Sequence, residues 1–120
     1  MAQKVNIAEK LAAIDKAWSP RIAGKVNDCC VKLVRFKGEF VWHHHEREDE
    51  MFLVVKGSMR MRLRDGEIVV NEGEFIIIPH GVEHCPVAEE EAHVMLIEPA
   101  TTLNTGNVRN ERTIARPERI

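Results

Sequence analysis

Two histidines separated by one residue, His43 and His45, carry the clearest chemical signal in this 120-residue chain. Side chains alternate in an extended segment, so both imidazoles point to one side while Trp42 and His44 point to the other. Five residues after His45, Glu50 opens an apolar run. The intervening Glu46, Arg47, Glu48 and Asp49 suit a loop that turns the chain back on itself. A carboxylate can then join the two imidazoles, and nitrogen with carboxylate oxygen is a donor set for a divalent metal. An HxH pair alone also occurs as ordinary surface or core histidine, so the elements around it must decide.

Those elements read as mostly β. Asn6 followed by Glu9 is a helix N-terminal cap, and Ile7, Leu11, Ile14 and Trp18 recur on one face. This pattern predicts a short amphipathic helix over residues 7–17, stopped by Ser19-Pro20. From there to Glu98, short runs of Val, Ile, Phe and Met are separated by turn signals at Asn27-Asp28, Lys37-Gly38, Lys56-Gly57, Asp65-Gly66, Glu72-Gly73 and His80-Gly81. A spacing of roughly ten residues between turns predicts an all-β sandwich or barrel, with the strongest hairpin signal at Asp65-Gly66. Met59, Met61 and Leu63 alternate with Arg60, Arg62 and Arg64, giving that strand one dry and one charged face. Residues 51–55 and 75–78 are apolar on both faces, so the outer face needs cover from a dimer partner or from the N-terminal helix. The expected division is a helical lead-in over residues 1–20, a barrel over 21–98 and an extension over 99–120. The extension has few apolar residues and carries Arg109, Arg112, Arg116 and Arg119, which reads as an extended arm that wraps a neighbour or stays mobile.

Composition removes several classes of partner. Seventeen Lys and Arg against 19 Asp and Glu give a net charge of −2, which supplies no field for gripping phosphate backbones. Six aromatic residues without a Tyr make a poor stacking platform, and no basic helix is present, so nucleic acid is not an expected partner. The longest wholly apolar stretch, residues 51–55, is far short of the roughly 20 residues of a membrane helix, and charged residues interrupt the first twenty positions. A cytoplasmic protein is expected. Cys29, Cys30 and Cys85 have neither a disulfide framework nor CxxC spacing and read as reduced thiols.

A second stretch, Gly73-Glu-Phe-Ile-Ile-Ile-Pro79-His-Gly81-Val-Glu-His84, completes a resemblance. Gly38, His43, His45, Glu50 and Gly57 match the first motif of the cupin superfamily, and Gly73, Pro79, Gly81 and His84 match the second. The gap from Gly38 to His43 is one residue shorter than that pattern, and Ala88 stands where the second motif closes on Asn; neither is a ligand position. The chain is similar to small single-domain cupins of the mannose-6-phosphate isomerase-like kind. The resemblance implies a double-stranded β-helix, or jelly roll, in which His43, His45, Glu50 and His84 converge on one divalent ion. Such a shell suits zinc, iron, manganese, nickel or copper, and an octahedral ion would keep two positions open for chemistry.

Strand parity then outlines a pocket. If Glu50 points inward, so do Phe52 and Val54, with Met59 and Met61 facing them either as pocket lining or as ordinary core. His44 should face away, Cys85 should leave the metal face, and the Glu89-Glu90-Glu91 run reads as a solvated loop. His93 is the one further candidate for a proton-moving group in the lumen, with a plain solvent or core role as its alternative. Two functions remain open: an isomerase- or dioxygenase-like metal-dependent enzyme acting on a small organic molecule, and a non-catalytic module that binds or senses a small ligand over a structural metal. A homodimer is the expected assembly.

Overall fold

Turns centred on Asn and Gly divide the described residues into one short helix and seven strands. The computed structural model describes residues 2–120. The elements are α1 (Ile7–Ala12), β1 (Arg21–Val26), β2 (Cys29–Glu39), β3 (Glu50–Lys56), β4 (Ser58–Leu63), β5 (Gly66–Asn71), β6 (Phe75–Ile78) and β7 (His84–Pro99). Every strand pair is antiparallel, in the order β1-β2-β7-β3-β6, with β4 joining β7 and β5 joining β4. The 16-residue β7 is the spine. Its first residues pair with β4 (Leu63 opposite His84), and its later ones lie between β2 and β3 (Leu96 opposite Lys32 and Phe52). The sheet therefore curls on itself and encloses an apolar interior containing Val34, Phe36, Phe52, Val54, Met59, Met61, Val94 and Leu96. Burying such side chains contributes about 1.5–3 kcal/mol each before conformational entropy is subtracted. Among the described residues, no helix is long and apolar enough to cross a membrane.

Alternation along the strands is as the sequence predicts. Arg60, Arg62 and Arg64 point outward and pair with Glu67, Glu39 and Glu83, while Met59 and Met61 are fully enclosed. The hairpin at Asp65-Gly66 is present, with Leu63 opposite Gly66 across Arg64-Asp65. At Lys37-Gly38 the expected turn is instead a bulge inside β2, where the register against β7 shifts between Phe36 and Gly38. The Glu89-Glu90-Glu91 run is likewise an exposed stretch of β7 and not a loop, with Glu91 paired to Arg35 at 2.8 Å.

The helix is shorter than its apolar periodicity predicts. The Asn6 side chain accepts from the Glu9 amide at 2.9 Å as expected, but α1 ends at Ala12 with Ala13 as its cap. Leu11 and Ile14 still reach the outside of the sheet, where they bury Leu33 with Val55, Met95 and Ile120. Trp18 leaves that face. In a left-handed backbone conformation (φ 59°) it turns into the barrel, donates its indole N–H to the Lys37 carbonyl at 2.7 Å, and stacks on Phe36 and Phe40. Packing of the indole against two aromatic faces outweighs the helical periodicity.

Residues beyond Pro99 fold back on their own barrel. Thr102 and Thr105 are buried, the Ile22 and Ile120 amides tie the terminus to β1, and Ile120 joins the cluster beneath α1. The helix and terminus cover part of the outer sheet face. On β6, Phe75 and Ile77 remain 59% and 53% exposed.

Candidate metal centre

His43 and His45 lie in the connection between β2 and β3, Glu50 is the first residue of β3, and His84 is the first residue of β7. Backbone hydrogen bonds bring the two chain segments together. His43 and His84 exchange amide-to-carbonyl bonds of 3.0 and 2.9 Å, and the Gly81 amide donates to the His45 carbonyl at 2.7 Å. Asp49 accepts from both the backbone and ring nitrogens of His80, each at 2.9 Å, and these bonds lower its carboxyl pKa. His80 thus pins the turn that delivers His84.

The four side chains are buried, with exposures of 2% for His43, 4% for His45, 3% for Glu50 and 0% for His84. One donor atom from each lies within 4.8 Å of all the others. Opposed donors on one ion with bonds of about 2.1 Å stand about 4.2 Å apart, so a small contraction brings the set to bonding distance. Nδ1 of His43 donates to the Val41 carbonyl and Nδ1 of His84 to the Val82 carbonyl, each at 2.9 Å. Those bonds fix the tautomers so that Nε2 faces the centre, the orientation a metal requires.

The donors call for a cation among them. Nε2 of His84 and Nε2 of His45 each stand 3.2 Å from Glu50 Oε1, and the buried His45 Nε2 has no hydrogen-bond partner of proper geometry. Burial, reinforced by the neighbouring charge of His84, pushes the His43 pKa down to about 4. Burial also acts to raise Glu50, but the polar contacts of His45, His84 and Glu98 with its carboxyl outweigh it and hold that carboxyl well below the usual range. A neutral imidazole beside an ionised carboxylate has the protonation states that metal binding needs. The residues present fit a divalent ion.

A cavity adjoins the cluster. It offers about 30 Å³ to the centre of a water-sized sphere, and its walls include Trp18, Phe36, Phe40, Phe52 and Leu96, with His43, Glu50 and Glu98 as ionisable groups. That space exceeds the roughly 10–15 Å³ one water needs. Of the side chains expected to line a pocket, Phe52 does so. Val54, Met59 and Met61 are buried in the apolar core and do not border this cavity. His93 is partly buried and bonded to Glu91 at 3.1 Å, opposite Arg35 on the β2 ladder and away from the cavity. Its ring is no proton carrier for the lumen. Trp42 lies under Arg64, 3.9 Å from the ring centroid, and His44 sits near Glu46. Cys85 contacts Glu39 at 3.7 Å, with a thiol that burial pushes up to about 11.

Three features beyond the sequence reading shape this site. Glu98 enters the cavity wall and forms a buried ion pair with Lys32 at 2.7 Å. Burial and the negative charge of Glu50 push the Glu98 carboxyl well above its ordinary range, with Lys32 opposing them. Trp18 and the C-terminal Asn104 also line the cavity. Gly106 lies against the His43-His44 backbone, and Asn107 bonds both the amide and the carbonyl of His44 at 2.9 and 3.1 Å. Parity was the available signal for the ion pair: Lys32 shares the inward parity of Cys30 and Val34, and Glu98 that of Val94 and Leu96.

The sequence matches the cupin domain family Cupin_2 over residues 33–98. A solved cupin-2 domain containing protein from Shewanella frigidimarina is 44% identical, with a TM-score of 0.78 over 79% of this chain and 93% of that one. Protein NMB1881 from Neisseria meningitidis is 31% identical, with a TM-score of 0.75 over 82% of this chain and 100% of that one. The uncharacterized protein YdbB of Bacillus subtilis is 41% identical over 61 residues, half of this chain and 54% of the relative's own length.

Proposed function

Because this chain belongs to the Cupin_2 family of cupin domains, we propose that it is a metal-dependent enzyme acting on a small organic molecule, with His43, His45, Glu50 and His84 as the ligands of one divalent ion. The observation that carries this reading is the convergence of those four buried donors beside a cavity with a further ionisable group. A divalent ion held there supplies Lewis-acid or oxygen-activating chemistry. Glu50 serves as a ligand and not as a base, since its carboxyl faces two of the imidazoles. Trp18, Phe40 and Phe52 give the cavity an apolar wall, and Nδ1 bonds to Val41 and Val82 hold two of the rings in place. Iron, zinc, manganese and nickel all accept this nitrogen and oxygen set.

Isomerase-like and dioxygenase-like chemistry differ in what the cavity must hold. A sugar phosphate needs a cationic anchor, but Arg60, Arg62 and Arg64 pair with acidic residues on the outer face, and Lys32 is engaged by Glu98. The cavity supports an unphosphorylated substrate better. The exposed Phe75 and Ile77 support a second copy of the chain as the partner on the β6 face.

The test is turnover by protein loaded separately with each divalent metal, using a panel of small hydroxylated and carbonyl compounds. Oxygen uptake or isomer formation that disappears in the His84→Ala variant is the expected result. Saturable binding with every compound recovered unchanged would replace the enzyme with a ligand-binding module over a structural metal.

A further inference from the structure

The cavity beside His43 and Glu50 is too small for an organic substrate. Its 30 Å³ of space for the centre of a water-sized sphere holds about two waters, at roughly 10–15 Å³ each. One wall must therefore move. Val34, Phe36, Phe52 and Leu96 stand on laddered strands. Trp18 is tied by its amide to the Arg35 carbonyl at 2.8 Å and by its indole to the Lys37 carbonyl at 2.7 Å, and the Phe40 amide donates to the Pro86 carbonyl at 3.1 Å. Asn104 is held differently. Its Nδ2 donates to the Arg112 carbonyl and its Oδ1 accepts from the Ile114 amide, each at 2.8 Å, and the Thr105 and Thr113 hydroxyls stand 2.7 Å apart. Residues 104–114 are thus closed on themselves as one unit. The chain on either side is anchored, by the Ala100 amide on Asp28 and by Glu118 and Ile120 on Ile22.

The unit meets the barrel at two places. At one, Asn107 bonds the amide and the carbonyl of His44. At the other, Arg112 Nη1 donates to the Glu39 carbonyl at 2.6 Å, and its guanidinium carbon stands 5.8 Å from the ring centroids of Trp18 and Phe40, two of the cavity walls. Arg112 is half-buried and this hold is not an ion pair, so it can part into water without stranding a charge. We propose that residues 104–114 are a lid over the cavity, latched by Arg112 and pivoting at Asn107, and that release of the latch admits a small organic molecule past Asn104. What enters rests on the reading of the cavity as a substrate site; the opening itself does not. Trp18, Asn104 and Arg112 all lie outside residues 33–98 that match the family, so the lid belongs to the flanking segments of this chain.

The experiment uses the full chain with Trp42→Phe, which leaves Trp18 as the one fluorophore. Amide hydrogen exchange of the metal-free protein is expected to show Thr113 and Ile114 exchanging together, at least about tenfold faster than His84 and Ile120, because a lid opens without global unfolding. Arg112→Met should speed Thr113 and Ile114 further, leave His84 and Ile120 unchanged, and raise acrylamide quenching of Trp18 at least about threefold, with Arg112→Lys in between. A merely structural role for Arg112 would speed all four amides alike. With Co²⁺ bound, association of acetohydroxamate, followed by cobalt visible absorption, should be at least about threefold faster in Arg112→Met than in wild type. Uniform exchange across the four amides, or unchanged quenching in Arg112→Met, overturns the lid and leaves the metal centre standing. An unchanged association rate with the other changes present overturns its gating role. Failure of wild type to bind cobalt overturns the metal reading, while exchange and quenching still decide the lid.

Discussion

Gly106 lies so close to the ligand loop that a Cβ placed on it would stand 2.3 Å from the His44 carbonyl oxygen and 3.0 Å from the His43 ring. The C-terminal segment is therefore part of the structure that positions His43 and the proposed metal site. Its backbone, at φ 56°, is in the left-handed region that side chains resist. Gly106→Ala is expected to cost about 2 kcal/mol or more and to weaken metal binding, read by denaturant unfolding and metal titration. Gly38→Ala is the control. Gly38 also has positive φ, but nothing lies within 4 Å of its Cβ position, so only the backbone cost of about 1 kcal/mol should appear and metal affinity should hold.

The metal-free protein is expected to lose stability on mild acidification. His43 titrates near pH 4 when folded and near the ordinary imidazole value of 6.5 when unfolded, because burial and His84 disfavour its charged form. Between those values the unfolded chain binds more protons, so stability falls as pH drops from 6.5 to 4 and gains no further His43 penalty below that. The full contribution is about 3 kcal/mol. Replacing His43 with Gln removes that part of the pH dependence, which urea unfolding at pH 7 and pH 4.5 would reveal; an unchanged slope would contradict the assignment.

Met61 belongs to the core and not to the cavity wall. It is completely buried among apolar neighbours and does not border the cavity beside the ligands. Met61→Ala is expected to destabilise the fold by about 2–4 kcal/mol. Metal affinity, measured by competition with a chelator, should stay within about threefold of wild type. A large loss of metal without loss of stability would instead place Met61 at the site.

Phe75 and Ile77 project from β6 on the face shared with Met51 and Leu53, its partners across the β3 ladder. Sedimentation of wild type is expected to give a dimer, and Ile77→Lys should shift it to monomer without loss of metal. A wild-type monomer at high micromolar concentration would remove that interface.

Local pattern carried much of this structure. The HxH spacing and the parity of Glu50 and Phe52 follow from alternation, whereas His84 enters through the resemblance of Gly73, Pro79, Gly81 and His84 to the second cupin motif. What escaped depended on distant contacts. Trp18 continues the helical period of Leu11 and Ile14, yet its indole is captured by Phe36 and Phe40 from a later strand. Glu98 precedes Pro99 at a strand end, where an acidic residue reads as exposed, and its burial makes sense only once β7 is paired with the strand carrying Lys32. The bulge at Gly38 has the residues of a turn, and only the ladder with β7 distinguishes them.

The central claim is that His43, His45, Glu50 and His84 hold one divalent ion. Elemental analysis of natively purified, tag-free wild type and His45→Ala tests it directly, with thermal unfolding of the same samples. About one equivalent of iron, zinc, manganese or nickel per chain is predicted for wild type, with metal content and melting temperature falling together in the variant because ligation energy is partly folding energy. Metal-free wild type that takes up none of these ions on incubation, or a variant with unchanged metal content, would contradict the account.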